Sequence, residues 1–140
     1  MAPRGELFLP ALLWLPASSV AQDWPGWRGA EGDGVADSTG WVPQGTRLWS
    51  RNVGLGHSCA SVVGERLYTL GFDVEKGLDT VFCLAADTGA TLWSTSYHGV
   101  QRAVDYHDGG TLSTPTVAGE RVFVTSSAGW LRALDAASGE

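Results

Sequence analysis

The sequence repeats itself, and this internal periodicity limits the folds open to the chain more than any other feature. Three pairs of segments align, at offsets of 55, 50 and 44 residues: Val62–Tyr68 with Val117–Phe123, Leu84–Gly89 with Leu134–Gly139, and Arg47–Trp49 with Thr91–Trp93. The first pair shares a Gly-Glu-Arg core. Such a period is typical of arrays in which each repeat is one supersecondary unit that buries its apolar surface against its neighbours.

Each repeat has the composition of short β-strands joined by turns. Runs rich in Val, Leu, Tyr, Phe and Thr alternate with Gly, Asp, Asn and Ser. The predicted strands are 58–63, 66–71, 80–85 and 91–97 in the first repeat, and 114–118, 121–126 and 130–134 in the second. Four short strands per repeat favour a β-propeller. We therefore predict an all-β fold of four-stranded antiparallel blades that is incomplete, with one full blade and most of a second.

The connections between these strands follow from their glycines and from the unequal offsets. Gly64 and Gly119 are expected to form tight turns between the first two strands of each blade, since glycine adopts positive φ without steric cost. The offset changes from 55 to 50 between the first two aligned pairs, so the two repeats differ by five residues in length within 69–83. There the charged stretch Gly71–Asp79 is predicted to form a longer surface loop.

The N-terminus has the pattern of a signal peptide. A charged start with Arg4 precedes the apolar run Leu7–Ala17, and Ser19 and Ala21 are small residues at the positions that signal peptidase requires. We predict a signal peptide over 1–21 and a periplasmic or secreted product. The apolar run is too short to span a bilayer, so no membrane span is expected after cleavage.

Charge excludes one class of partner. The formal net charge is −6, Lys76 is the only lysine, and the eight arginines are scattered along the chain. Nucleic-acid binding requires clustered Lys and Arg, so no nucleic-acid partner is expected.

A motif repeated near the end of each repeat resembles that of the pyrroloquinoline-quinone-like (PQQ-like) repeat family, which runs Ala-x-Asp-x-x-Thr-Gly-x-x-x-Trp. Thr88, Gly89 and Trp93 fill its last three fixed positions, whereas Cys83 and Ala85 replace its Ala and Asp. In the second copy the matching or nearly matching residues are Ala133, Asp135, Ser138 and Gly139. An earlier half-copy ends at Trp49, and the Trp-Pro-x-Trp-Arg-Gly segment 24–29 is similar to the lead-in of secreted members.

The resemblance implies a blade-docking role for these residues and a domain order. Trp49 and Trp93 are expected to pack between neighbouring blades, each with an indole N–H that needs an acceptor, and the glycines let the turn approach the ring. The expected order is signal peptide 1–21, lead-in segment 22–48, first blade 49–97, inter-blade loop 98–112 and truncated second blade 113–140. The sequence stops within the motif, so we expect a fragment of a longer propeller.

One loop gathers side chains of the metal-binding type. His98, Asp105, His107 and Asp108 lie within 11 residues, and two imidazoles with two carboxylates could bind a transition metal. Their spacing matches no established ligand signature. We therefore predict a surface connection, no metal site and no catalytic residues, with these four as weak metal candidates. His57, before the first strand, is interpreted as a strand-entry residue, with a place facing the central channel as the alternative.

The two cysteines are not expected to form a disulfide. In the predicted blade Cys59 is in the first strand and Cys83 in the third, two strand spacings of about 4.8 Å apart. Disulfide Cα atoms lie no more than about 6.8 Å apart. Two separate thiols are predicted.

Two functions remain open. The preferred hypothesis is a non-enzymatic binding or scaffold module without a cofactor, whose partners are the missing blades of its own full-length chain or another protein. The alternative, which the resemblance implies, is the N-terminal part of a PQQ-dependent alcohol or sugar dehydrogenase. PQQ, calcium and the catalytic residues would then be supplied by the full-length protein.

Overall fold

The fold is all-β in the residues that the structure, a computed structural model, describes, which are 22–37, 45–101 and 108–140. It comprises β1 (Ser61–Val63), β2 (Arg66–Asp73), β3 (Leu78–Ala85), β4 (Thr91–His98), β5 (Thr116–Ala118), β6 (Arg121–Thr125) and β7 (Leu131–Asp135). The first four strands form one antiparallel sheet, sheet 1, and the last three form a second, sheet 2, each in sequence order. This architecture of open, blade-like sheets confirms the predicted fold class.

No helix in these three ranges is long and apolar enough to cross a membrane. The predicted signal peptide, 1–21, lies outside the described residues.

Two-residue turns join the first two strands of each sheet, where the glycines of the repeat demand them. Gly64 and Gly119 have φ angles of 56° and 57°. An added Cβ would meet nothing within 4 Å at either position. Conformation, and not crowding, therefore requires glycine at these two turns.

The prediction of a surface loop over Gly71–Asp79 is wrong. The hairpin strands β2 and β3 continue into it, pairing Phe72 with Asp79 and Asp73 with Leu78, so that only 74–77 form the turn. Asp73 closes that turn, because its carboxylate accepts hydrogen bonds from the backbone N–H groups of Glu75 and Lys76, each at 3.1 Å. The extra residues of the first repeat thus lengthen a hairpin whose Phe72 is buried.

The core lies between the two sheets. Alternate residues of sheet 1 face sheet 2, among them Tyr68, Val81, Cys83 and Trp93, as the period of two along a strand requires. Sheet 2 contributes four residues to the same cluster: Val117, Val122, Val124 and Leu134. The two repeats therefore pack face to face as neighbouring units around a shared apolar layer.

Candidate functional site: the docking junction between the sheets

Trp93 of β4 packs on the turn that follows β7 in sheet 2. Its indole Nε1 donates a hydrogen bond to the backbone oxygen of Ala136 at 3.1 Å. A Cβ on Gly139, whose φ is 77°, would lie 2.5 Å from Cε3 of the Trp93 ring. Thr95, two residues further along β4, donates to the backbone oxygen of Gly139 at 2.6 Å. The turn and the ring thus fit only because residue 139 has no side chain.

The Ala136 carbonyl is a shared acceptor at this junction. The Tyr68 hydroxyl donates to it at 3.2 Å and the Arg66 guanidinium at 3.4 Å. The Tyr68 and Trp93 ring centroids are 6.0 Å apart with the planes tilted by 52°, within the range of favourable aromatic pairs. Burial raises the pKa of Tyr68 to about 12, so the hydroxyl keeps the proton that it donates even in mildly alkaline solution.

The turn itself is held by Asp135. Its carboxylate accepts hydrogen bonds from the backbone N–H groups of Ser138 and Ala137, each at 2.9 Å, and from the Ser138 hydroxyl at 3.1 Å. These bonds, those to Ser138 and Ala137 foremost, hold the pKa of Asp135 below its usual range. The Gly139 N–H closes the turn by donating a hydrogen bond of 2.8 Å to the Asp135 carbonyl. The charged carboxylate therefore stiffens the platform on which Trp93 rests.

Trp49 makes the same contact with the turn after β3. Its Nε1 donates to the backbone oxygen of Ala86 at 3.0 Å, and a Cβ on Gly89 would lie 2.6 Å from its Cε3. Arg51 donates to the backbone oxygen of Gly89 at 3.1 Å, as Thr95 does to Gly139. The first turn lacks the motif's Asp. Its backbone hydrogen bond from the Gly89 N–H to the Ala85 carbonyl is nevertheless 2.8 Å long, like the bond from the Gly139 N–H to the Asp135 carbonyl in the second turn.

The remaining residues of the motif lie beside these turns. Thr88 Oγ1 accepts a hydrogen bond from the Ala90 N–H at 3.4 Å within the first turn. Ala133 is exposed on β7, paired with Phe123. Apart from Ala133, the motif residues are therefore grouped on two turns and the two indole rings that rest on them.

The lead-in segment joins the two sheets on another side. Trp24 exchanges backbone hydrogen bonds with Val62 of β1, at 2.7 and 2.9 Å, while the Pro25 carbonyl accepts from Val117 N–H of β5 at 2.7 Å. Asp23 accepts from the Gly64 N–H at 2.8 Å. Residues 23–25 thus bridge the first strands of both sheets, a contact that the repeat pattern does not predict.

Sequence reasoning also missed a buried polar group at the junction. Asp79 is only 1% exposed, and its Oδ2 has no hydrogen-bond partner among the described residues. Burial raises the pKa of Asp79. Opposite it in β4, burial first and the Asp79 charge second raise the pKa of Tyr97 to about 12. Arg132 of β7 covers the Tyr97 ring, with its guanidinium carbon 4.2 Å from the ring centroid.

A signal for Asp79 is present in the sequence. Asp79, Val81 and Cys83 alternate along one strand, and the last two face the core. Extending the period of two backwards from Cys83 places Asp79 on the same inner face.

Two of the four weak metal candidates lie among the described residues. His98 is exposed as the last residue of β4, one residue beyond the predicted end of that strand, and the Asp108 carbonyl accepts from the Gln101 side chain at 2.9 Å. Asp105 and His107 lie outside the described residues. In the described ranges, no three His, Cys, Asp or Glu side chains are grouped so that they could bind a metal ion.

His57 and the cysteines lie near the starts of strands or in them. The His57 backbone N–H donates to the Thr111 carbonyl at 2.7 Å, before β1 begins. The placement of Cys59 in the first strand is wrong, because β1 begins only at Ser61. Cys59 is exposed before that strand, whereas Cys83 is buried in β3, and both are free thiols. The prediction of two separate thiols is confirmed.

Both sheets lie within a match to a known protein family. Residues 38–140 match a PQQ-like repeat model described as outer membrane protein assembly factor BamB. A search of the curated proteins finds no matching relative. The matched range includes both sheets and both docked tryptophans.

Proposed function

The chain belongs to the PQQ-like repeat family whose model is described as outer membrane protein assembly factor BamB, and on this premise we propose that it is an exported binding and scaffold module. The family match and the two antiparallel sheets identify a β-propeller module.

The observation that supports a scaffold is the use of polar side chains, from the motif and from β2, at the junction. Trp93, Tyr68 and Arg66 all donate to one carbonyl, and the Asp135 carboxylate is occupied by its own turn. The hydrogen bonds of these polar groups fix one sheet against the next. Rigid packing of this kind presents loops and strand edges at fixed positions, which suits recognition of another protein.

Export is proposed from residues 1–21. Cleavage after Ala21 would leave Gln22 as the first residue, directly before the lead-in that bridges β1 and β5. The family description names an outer membrane assembly factor, which supports a place in the cell envelope. We propose a periplasmic or secreted location on these two grounds.

We assign no calcium or quinone site to this segment. Calcium requires six to eight oxygen ligands. The two carboxylates nearest the junction do not form such a set, because Asp135 is hydrogen-bonded within its turn and Asp79 is enclosed beneath Gly99. We therefore propose no cofactor for this segment, and no chemical step is assigned to it.

The proposal is tested by expressing the full chain with a C-terminal tag in a bacterial host and analysing the exported fraction. We expect mature protein beginning at Gln22, and an Ala21→Arg variant that stays unprocessed. In crosslinking of that fraction, we expect the chain to capture an envelope protein, and a Gly139→Ala variant to capture less of it than Gly119→Ala. These two variants change the junction and an open turn, respectively.

Two results would contradict the proposal. One is unprocessed wild-type chain that stays in the cytoplasm, which removes the export step. The other is oxidation of an alcohol or sugar, measured by dye reduction, when PQQ and calcium are added to the purified chain. That result would establish the dehydrogenase alternative.

A further inference from the structure

The residue that follows the proposed cleavage site has a chemistry that the scaffold role does not use. Cleavage after Ala21 gives Gln22 a free α-amine, and the side-chain amide of a glutamine can close a five-membered ring with that amine. Gln22 is exposed at the start of the lead-in, so both groups are accessible. The new N-terminus is therefore a candidate for covalent modification.

The structure holds one end of the Gln22 amide and leaves the other end without a partner. Its Oε1 accepts a hydrogen bond from the Asp37 backbone N–H at 2.8 Å. In the described ranges, no residue accepts a hydrogen bond from its Nε2. The oxygen is the atom that ring closure retains, and the nitrogen is the atom that ring closure expels. Departure of Nε2 therefore breaks no hydrogen bond within the described part of the chain.

The residues directly after Gln22 are fixed to the sheets. Asp23 accepts a hydrogen bond from the Gly64 N–H at 2.8 Å, and Trp24 exchanges two backbone hydrogen bonds with Val62 of β1. Stepwise trimming from a free N-terminus would remove Gln22 and then Asp23, and the next residue would be the paired Trp24. The bridge between the first strands of both sheets thus begins two residues from the N-terminus that cleavage exposes.

We propose that Gln22 of the exported chain cyclises to pyroglutamate and caps the lead-in, an inference that rests on the proposed export and on cleavage after Ala21. The lone pair of the α-nitrogen attacks Cδ of the side-chain amide, and a C–N bond forms. The bond between Cδ and Nε2 breaks, and the departing nitrogen takes a proton from the α-nitrogen and leaves as ammonia. The step consumes no oxidant, reductant or second substrate.

Both the connectivity and the ionisation of the amine favour this step at neutral pH. The attack occurs within one residue, and well-oriented intramolecular groups react at very high effective concentrations. An α-amine titrates close to neutral pH, so part of it is the uncharged nucleophile. The lactam product has no free α-amine, which aminopeptidases require. Cyclisation of Gln22 therefore protects the bridge that begins at Asp23.

The test is the intact mass of the full chain recovered from the exported fraction, measured before any digestion. We expect the mass of residues 22–140 lowered by one ammonia, with conversion complete after incubation at neutral pH. Gln22→Met is the matched control, because methionine has a similar length and no amide. This variant should keep the full mass of its processed chain under the same incubation.

Peptide mapping locates the loss of ammonia. Trypsin releases residues 22–28 by cutting after Arg28, and a synthetic free-amine peptide of that sequence, digested in parallel, measures the ring closure that handling causes. Asn52, the only asparagine of the chain, can also lose ammonia but lies in a different peptide. We expect the loss in 22–28, at a level well above that of the synthetic peptide.

Resistance to an aminopeptidase gives an independent readout. We expect the exported wild-type chain to keep its N-terminus and the Gln22→Met chain to lose N-terminal residues. Treatment with pyroglutamyl aminopeptidase, which removes the lactam residue, should make the wild-type chain sensitive as well.

Four results would overturn the cap, and they separate it from the proposed export. A chain that begins at Gln22 and keeps its full mass after incubation, or a loss of ammonia located at Asn52, would refute the cap and leave export standing. A processed chain that begins at another residue would refute cleavage after Ala21 together with the cap. Wild-type chain that stays unprocessed would refute both export and the cap, because Gln22 then has no α-amine.

Discussion

Adding one methyl group at Gly139 should weaken the junction far more than adding one at Gly119. Both glycines have positive φ, 77° and 57°, so an alanine at either position incurs a backbone cost of roughly 1–2 kcal/mol. Only at Gly139 does the new Cβ meet other atoms, Cε3 of Trp93 at 2.5 Å and Oγ1 of Thr95 at 2.9 Å.

The difference between the two variants isolates the packing contact. Overfilling a packed site costs roughly 1–3 kcal/mol, so Gly139→Ala should lower the free energy of unfolding by about 2–5 kcal/mol in total. Gly119→Ala, with open space around its Cβ, should cost only the backbone term. Because folded domains are stable by about 5–15 kcal/mol, the difference is measurable.

The assay is urea denaturation of each variant, followed by tryptophan fluorescence and analysed by linear extrapolation. We expect the midpoint of Gly139→Ala to fall well below that of Gly119→Ala, with an unchanged slope. Equal midpoints for the two variants would refute the packing of Trp93 on the turn after β7.

Three further predictions concern single side chains. Trp93→Phe should lower the free energy of unfolding by about 0.5–1.5 kcal/mol for the lost indole hydrogen bond, plus a packing loss, as measured in urea; no loss would contradict the Ala136 bond. Asp79→Asn should raise the thermal midpoint at pH 7. The folded-state pKa of Asp79 is raised. Its ionisation therefore lowers the free energy of unfolding as the pH rises from the unfolded-state pKa through the folded-state pKa. The stability that Asp79→Asn gains at pH 7 should consequently shrink at acid pH, where Asp79 is protonated. Asp73→Asn is the control. Because Lys76 lowers the folded-state pKa of Asp73, this variant should not raise the thermal midpoint. A rise equal to that of Asp79→Asn would refute the burial argument. In native protein, iodoacetamide should modify exposed Cys59 before buried Cys83, as peptide mass spectrometry would show; equal rates would contradict the burial of Cys83.

The strands could be predicted because the signals that specify them are local. Runs of β-branched and aromatic residues and the glycine turns at 64 and 119 identify the hairpins without knowledge of their neighbours. The prediction failed where tertiary pairing decides. Phe72 and Asp79 lie in a polar stretch of sequence, yet they are partners in one ladder and both are buried.

The junction was only partly predictable for a similar reason. Trp49, Trp93 and the turn glycines stand out because the motif recurs at a fixed spacing. Nothing in that spacing indicates that Tyr68 shares the carbonyl acceptor with Trp93, or that Arg132 lies over Tyr97. Those contacts depend on the distance between two sheets, which no single repeat encodes.

The docking of Trp93 on sheet 2 is tested most directly by NMR of the full chain labelled with ¹⁵N at the tryptophan indoles. We expect the Trp93 indole N–H to exchange slowly with solvent and to show a nuclear Overhauser effect to Gly139. The exposed Trp27 and Trp130 indoles should exchange fast. A Trp93 indole that exchanges as fast as these two, without contact to Gly139, would contradict the docking of Trp93 on sheet 2.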